Sequence, residues 1–260
     1  NRSLVLRKGF SKEKKQLPKT LSIGEKVMEH SRFENLNKNI YNFCENILEN
    51  KKGYEALKSF LNRDIPNIKG IKAGDKIIKS ENFDKEIPNI ISNLNSSYIF
   101  VQGGPGAGKT FHTANAIVEL LKKNKKIAVT ANSHKVIHNL LERIESIATK
   151  QDFDFKGLKK GNPNDVDSFY DGKFIKTDSN ERHYIDGLKD NKILLYAGTK
   201  YHLSSWYYRS KIDYLFIEEA SQFSLADCIS LGGITTNIVL VGDQQQLGQP
   251  TQGSHPNLSG

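Results

Sequence analysis

Residues 98–121 constrain this chain more than any other stretch. Tyr98-Ile99-Phe100-Val101 is a short run of β-formers. Gly103-Gly104-Pro105-Gly106-Ala107-Gly108-Lys109-Thr110 follows it, and Ala114, Ile117, Val118 and Leu121 then recur at the spacing of one helix face. A glycine-dense turn between a buried strand and a helix lets backbone N–H groups turn inward and approach a ligand closely. The turn fits G-x-x-x-x-G-K-[ST], the pattern of a loop that cradles a polyphosphate. Lys109 is a compact cation for the β- and γ-phosphates, and the Thr110 hydroxyl can sit on Mg²⁺. The helix N-terminus adds its own attraction for anions. Gly103, Gly104, Pro105, Gly106, Ala107, Gly108, Lys109 and Thr110 are therefore the candidate nucleotide-binding residues.

The rest of the chain repeats strand and helix. Residues 127–130, 193–196, 214–217 and 238–241 are further strand candidates, and Val136, Ile137, Leu140, Leu141, Ile144 and Ile147 make a helical stripe. These strands are apolar throughout rather than alternating, as in a parallel sheet covered on both faces. The expected fold is α/β, a doubly wound parallel sheet, whose ligands sit at the carboxyl ends of the strands. Two regions stand apart. Residues 1–90 read as a basic, helical extension or the end of an upstream domain, with 91–260 as the main domain. Residues 149–192 read as a polar insert, a small subdomain or a partly disordered segment whose aromatics form their own small core.

Charge and cysteine content narrow the setting. The net charge is +9, and seven basic residues against Glu13 alone put six of those charges in residues 1–20. Such an arm can neutralise nucleic-acid phosphates, although a solvated, mobile terminus explains this segment better. Cys44 and Cys228 are too few for a disulfide framework and fit a reducing, cytoplasmic setting. No apolar run approaches the ~20 residues that span a bilayer, so no membrane partner is expected. The chain begins with Asn1 rather than Met, as a fragment or processed product would.

Hydrolysis needs more than a phosphate cradle. A carboxylate must hold the metal and another group must orient the attacking water. The strand 214–217 runs into Glu218-Glu219-Ala220-Ser221-Gln222, and the strand 238–241 into Gly242-Asp243-Gln244-Gln245-Gln246-Leu247. Adjacent carboxylates at a strand tip suit the first need. A glutamine at a neighbouring tip can sense a departing γ-phosphate. His134 and His138 share a helix face four residues apart, but Lys135 stands where H-E-x-x-H has Glu and no third ligand is evident, so zinc is not expected.

Together these segments resemble superfamily 1 helicases. Val101 to Thr110 resembles their motif I, Glu218 to Gln222 their motif II (D-E-A-x-Q), and Gly242 to Leu247 their motif III (G-D-x-x-Q-L). The nearest subgroup looks like the 5′→3′ helicases that include the RNA-surveillance helicases and the replication nuclease-helicases. Gln249 to Pro256 looks like the nuclease-fused branch. The resemblance implies the first of two RecA-like motor domains of a P-loop NTPase, with ATP and Mg²⁺ as cofactors. It implies that Lys109 and Thr110 bind phosphate and metal, Glu218 holds the metal, Glu219 is the catalytic base and Gln246 the γ-phosphate sensor. Thr130 to His134 lies where motif Ia belongs and Gly198-Thr199-Lys200 near motif Ib, which makes Ser133 and Thr199 the candidate nucleic-acid contacts. The implied partners are single-stranded DNA or RNA, a second RecA-like domain absent from these residues, and a fused or partner nuclease.

Three departures bear on activity. Glu218 stands where the family has Asp, and Mg²⁺ tolerates little distortion of its octahedron. Ile90 to Ser97 holds no adenine-reading glutamine. The residues end just after motif III, short of the domain that supplies arginine fingers worth ~10³–10⁵ in rate. The expectation is an ATP-binding helicase motor domain that by itself hydrolyses slowly. The alternatives are a degenerate nucleotide-binding scaffold and a ring-type P-loop ATPase.

Overall fold

The computed structural model describes residues 34–104 and 106–243. Seven strands, β1 Tyr98–Gln102, β2 Ile127–Thr130, β3 Gly157–Lys160, β4 Ile175–Asp178, β5 Leu195–Ala197, β6 Ile212–Glu218 and β7 Thr235–Gly242, form one sheet in the order β1-β7-β6-β2-β5-β3-β4. Every neighbouring pair is parallel. Among the described residues eight α-helices cover it: α1 Glu34–Leu48, α2 Glu55–Asn62, α3 Phe83–Ser92, α4 Lys109–Lys122, α5 His134–Lys150, α6 Glu181–Asp190, α7 Lys200–Leu203 and α8 Leu225–Gly232.

Strand alternation explains why these runs are apolar throughout. In β6, Tyr214 and Phe216 enter one core with α3, α4 and α5, while Leu215 and Ile217 enter the other with α2 and α8. In β7, Val239 and Val241 face the first core and Ile238 and Leu240 the second. A strand buried on both faces has no solvent side to mark it.

The helical N-terminal residues are part of this body. Phe43, Ala56 and Leu57 enter the second core, and Ile90 and Ile91 the first. The boundary expected at residue 90 falls inside α3. The basic arm lies outside the described residues.

The insert is a larger departure from expectation. Residues 149–192 contribute β3, β4 and α6 to the same layers rather than a separate subdomain. Phe155, Tyr170 and Phe174 join the first core and Tyr184 the second, so the insert's aromatics have no core of their own. Glu145 of α5 staples it down. Its carboxylate accepts from the backbone N–H of Lys173, Phe174 and Ile175 at 3.0, 2.7 and 2.8 Å and from the Tyr170 hydroxyl at 3.2 Å.

Candidate functional site

Three strand tips converge at the carboxyl end of the sheet. Gln102 of β1 pairs with Gly242 of β7, and Val241 lies between Val101 and Glu218 of β6. The glycine loop leaving β1 and the carboxylates closing β6 are thus one strand apart. Gly106 and Gly108 take φ of 76° and 77°, the left-handed region that side chains with a Cβ resist. A Cβ on Gly103 would stand 3.1 Å from that of Ala107. Gly108 caps α4, and Lys109 and Thr110 open it. The Lys109 ammonium lies back across the loop, donating to the carbonyls of Gly103 and Gly104, the latter at 2.9 Å. Pro105 lies outside the described residues.

Glu218 is buried, 5% exposed. It sits two residues past Phe216, so alternation aims it at the first core, where α4 places Thr113. Its Oε1 has no well-formed hydrogen bond, and the Thr113 hydroxyl beside the carboxyl is at most a weak donor to it. Burial, with the Glu219 charge beside it, pushes the Glu218 carboxyl up to about 7, against the opposing pull of Lys109 and Thr113. A desolvated carboxylate beside the first turns of α4 suits a divalent cation, which favours the ionised form. Glu218 therefore fits the metal chemistry the sequence suggests, while Thr110 is placed in the first turn of α4.

Glu219 closes the strand in the left-handed conformation, φ 51° and ψ 49°, a strain of about 1 kcal/mol for a non-glycine residue. The Ala220–Gln222 turn follows. The Gln222 side-chain amide donates to Glu219 Oε2 at 2.7 Å.

Ser133 and Thr199 line one cleft, at the carboxyl ends of the paired strands β2 and β5. The cleft measures about 620 Å³, and Asn132, Lys135 and Asp167 are also on its wall. Ser133 caps α5, its hydroxyl accepting from Val136 N–H at 3.3 Å. Thr199 caps α7 without a side-chain bond to that helix's backbone. The His134 and His138 rings lie tilted to each other with centroids 6.2 Å apart, and His138 lies 5.3 Å from the Tyr170 ring. Burial lowers both imidazoles, His138 to about 4.

The sequence reading did not single out three residues that prove central here. Asn132 donates its amide to the Gln222 carbonyl across 90 positions. Lys200 pairs with Asp227 at 2.6 Å in a mostly buried bridge. Gln222 was visible only as the last letter of its motif. Gln246 and the segment Gln249 to Pro256 lie outside the described residues.

A glycine cradle between β1 and α4, with acidic residues one strand away on a parallel doubly wound sheet, defines a P-loop nucleotide-binding domain of RecA-like fold. The AAA domain family matches residues 88–251, and the chain belongs to it. With motifs I, II and III in order, it is a superfamily 1 helicase motor domain. The DNA replication ATP-dependent helicase/nuclease dna2 of Schizosaccharomyces pombe is 29% identical over 168 residues, 63% of this chain and 11% of that protein. The Saccharomyces cerevisiae DNA replication ATP-dependent helicase/nuclease DNA2 is 26% identical over 156 residues, 58% of this chain and 10% of that protein. The chain thus spans about a tenth of the length of these relatives. Among solved structures, the UvsW helicase from bacteriophage T4 aligns with 80% of this chain and 70% of its own, at 15% identity and a TM-score of 0.42. An arterivirus nonstructural protein 10 helicase in complex with DNA aligns with 62% of this chain and 32% of its own, at 17% identity and a TM-score of 0.38. Among the described residues no helix is long and apolar enough to cross a membrane.

Proposed function

We propose that this chain is the ATP-binding half of an intracellular helicase motor that couples ATP hydrolysis to movement along single-stranded nucleic acid. The observation that carries this reading is the juxtaposition of Lys109 and Thr113 with the buried Glu218 carboxyl, across the tips of β1 and β6, which stand one strand apart. Backbone N–H groups of the Gly103–Gly108 loop receive the phosphates. The Lys109 ammonium exchanges the loop carbonyls it now touches for β- and γ-phosphate oxygens, which carry more charge. Thr110 and Glu218 would hold Mg²⁺, which would supply positive charge to the transferred phosphoryl group. Glu219 accepts the proton of the attacking water. Gln246 senses the γ-phosphate. Ser133 and Thr199 meet the nucleic-acid backbone in their shared cleft. The names of the two yeast relatives favour DNA and a nuclease in the same polypeptide or complex. A second RecA-like domain supplies the arginines of fast turnover.

A second reading has one observation in its favour. Glu218, one methylene longer than the family's Asp, suits a scaffold that binds nucleotide without turnover. ATPase assays of the full-length protein with and without single-stranded DNA decide the matter. DNA-stimulated turnover that disappears in Lys109→Ala supports the motor. Nucleotide binding without turnover supports the scaffold, and turnover indifferent to DNA supports a ring-type ATPase.

A further inference from the structure

Both loops that line the cleft also grip the turn that carries Glu219. Asn132, beside Ser133, donates its side-chain amide to the Gln222 main-chain oxygen. Lys200, beside Thr199, reaches Asp227 Oδ2 at 2.6 Å. Asp227 in turn forms a capping box with Ser224 at the start of α8. Residues 219–224 are therefore tethered to one wall of the cleft at Gln222 and to the other through Ser224. Between those tethers the Gln222 amide holds Glu219 Oε2 at 2.7 Å.

A carboxylate in that bond is turned toward its own chain. To act as a base it must come within roughly 2.6–3.2 Å of the water proton it removes. Asn132 is exposed at the cleft, and among the described residues its amide is bonded to a neutral carbonyl. A phosphate oxygen is the stronger acceptor for the same amide.

We propose that Gln222 and Asn132 are positioning residues: without nucleic acid the Gln222 amide parks Glu219, and a backbone phosphate that draws the Asn132 amide away releases it toward the attacking water. This rests on Glu219 being the base, as proposed above. The nucleic acid supplies the free energy, because it binds the released arrangement better than the parked one.

The test is steady-state ATPase of the full-length protein, with and without oligo(dT), for Gln222→Ala, Asn132→Ala, the double variant and Lys109→Ala. The first two raise kcat without DNA on the order of tenfold, the hold of one hydrogen bond to an ionised group. KM for ATP stays put, and oligo(dT) adds little further stimulation. The double variant matches Gln222→Ala, since both residues act on one contact. Wild-type stimulation in both single variants overturns the proposal. So does a fall in both rates with their ratio preserved, the mark of a merely structural role. Binding of a fluorescent ATP analogue shows that each variant is folded; if Gln222→Ala is not, Asn132→Ala at its exposed position decides alone. Persistent turnover in Lys109→Ala sinks the ATP-site reading itself, separately from this relay.

Discussion

Glu218→Gln isolates the electrostatic cost of the site. The carboxyl is raised from 4.5 to about 7, chiefly by burial and next by Glu219. A group whose folded-state pKa is raised binds its proton more tightly in the native state. It therefore contributes stability that is fully present below pH 4.5 and is lost as pH rises through about 7. At about 1.36 kcal/mol per pKa unit, the gap corresponds to about 3 kcal/mol at pH 8. Without divalent cation, the wild-type melting temperature should fall between pH 5 and pH 8. Glu218→Gln should lack most of that fall and melt several degrees above wild type at pH 8, at about 2–4 °C per kcal/mol for a domain of this size. Adding Mg²⁺ with ATP should narrow the gap by stabilising the wild type more than the variant. Calorimetric melts of both proteins at the two pH values make the comparison. Equal pH dependence in wild type and variant would refute the desolvated-carboxylate argument.

Other perturbations have equally definite outcomes. Lys109→Ala should weaken ATP binding and abolish turnover, whereas Glu219→Gln should bind ATP normally and lose turnover, as equilibrium titration beside a phosphate-release assay would reveal. Gly108→Ala forces a Cβ into φ 77° at the start of α4, so nucleotide affinity should drop while urea stability falls by about 1 kcal/mol. Glu145→Ala leaves four donors of the 170–175 turn without their acceptor, and should cost about 3 kcal/mol in urea unfolding and raise amide exchange at Phe174 and Ile175. Unchanged exchange there would mean that the staple is not what holds the insert.

Much of the site was legible because its constraints are local. Left-handed glycines, a lysine opening a helix and carboxylates at a strand end are set by neighbours within a few residues. Polar β3 and β4 were not legible. Gly157-Leu158-Lys159-Lys160 carries Lys159 fully buried, its ammonium donating to the Ser168 carbonyl, with burial lowering it to about 8. No apolar run announces such a strand; pairing with β5 and the Glu145 staple make it one.

The amino-acid sequence by itself determined the phosphate cradle, the parallel α/β class and the acidic pair, since backbone sterics and burial on two faces act through residue type and short spacing. Tertiary structure alone decided that β7 stands between β1 and β6, that the insert widens the sheet, and that Asn132 meets Gln222. Those outcomes depend on which distant surfaces bury each other best, and no local pattern encodes such a choice.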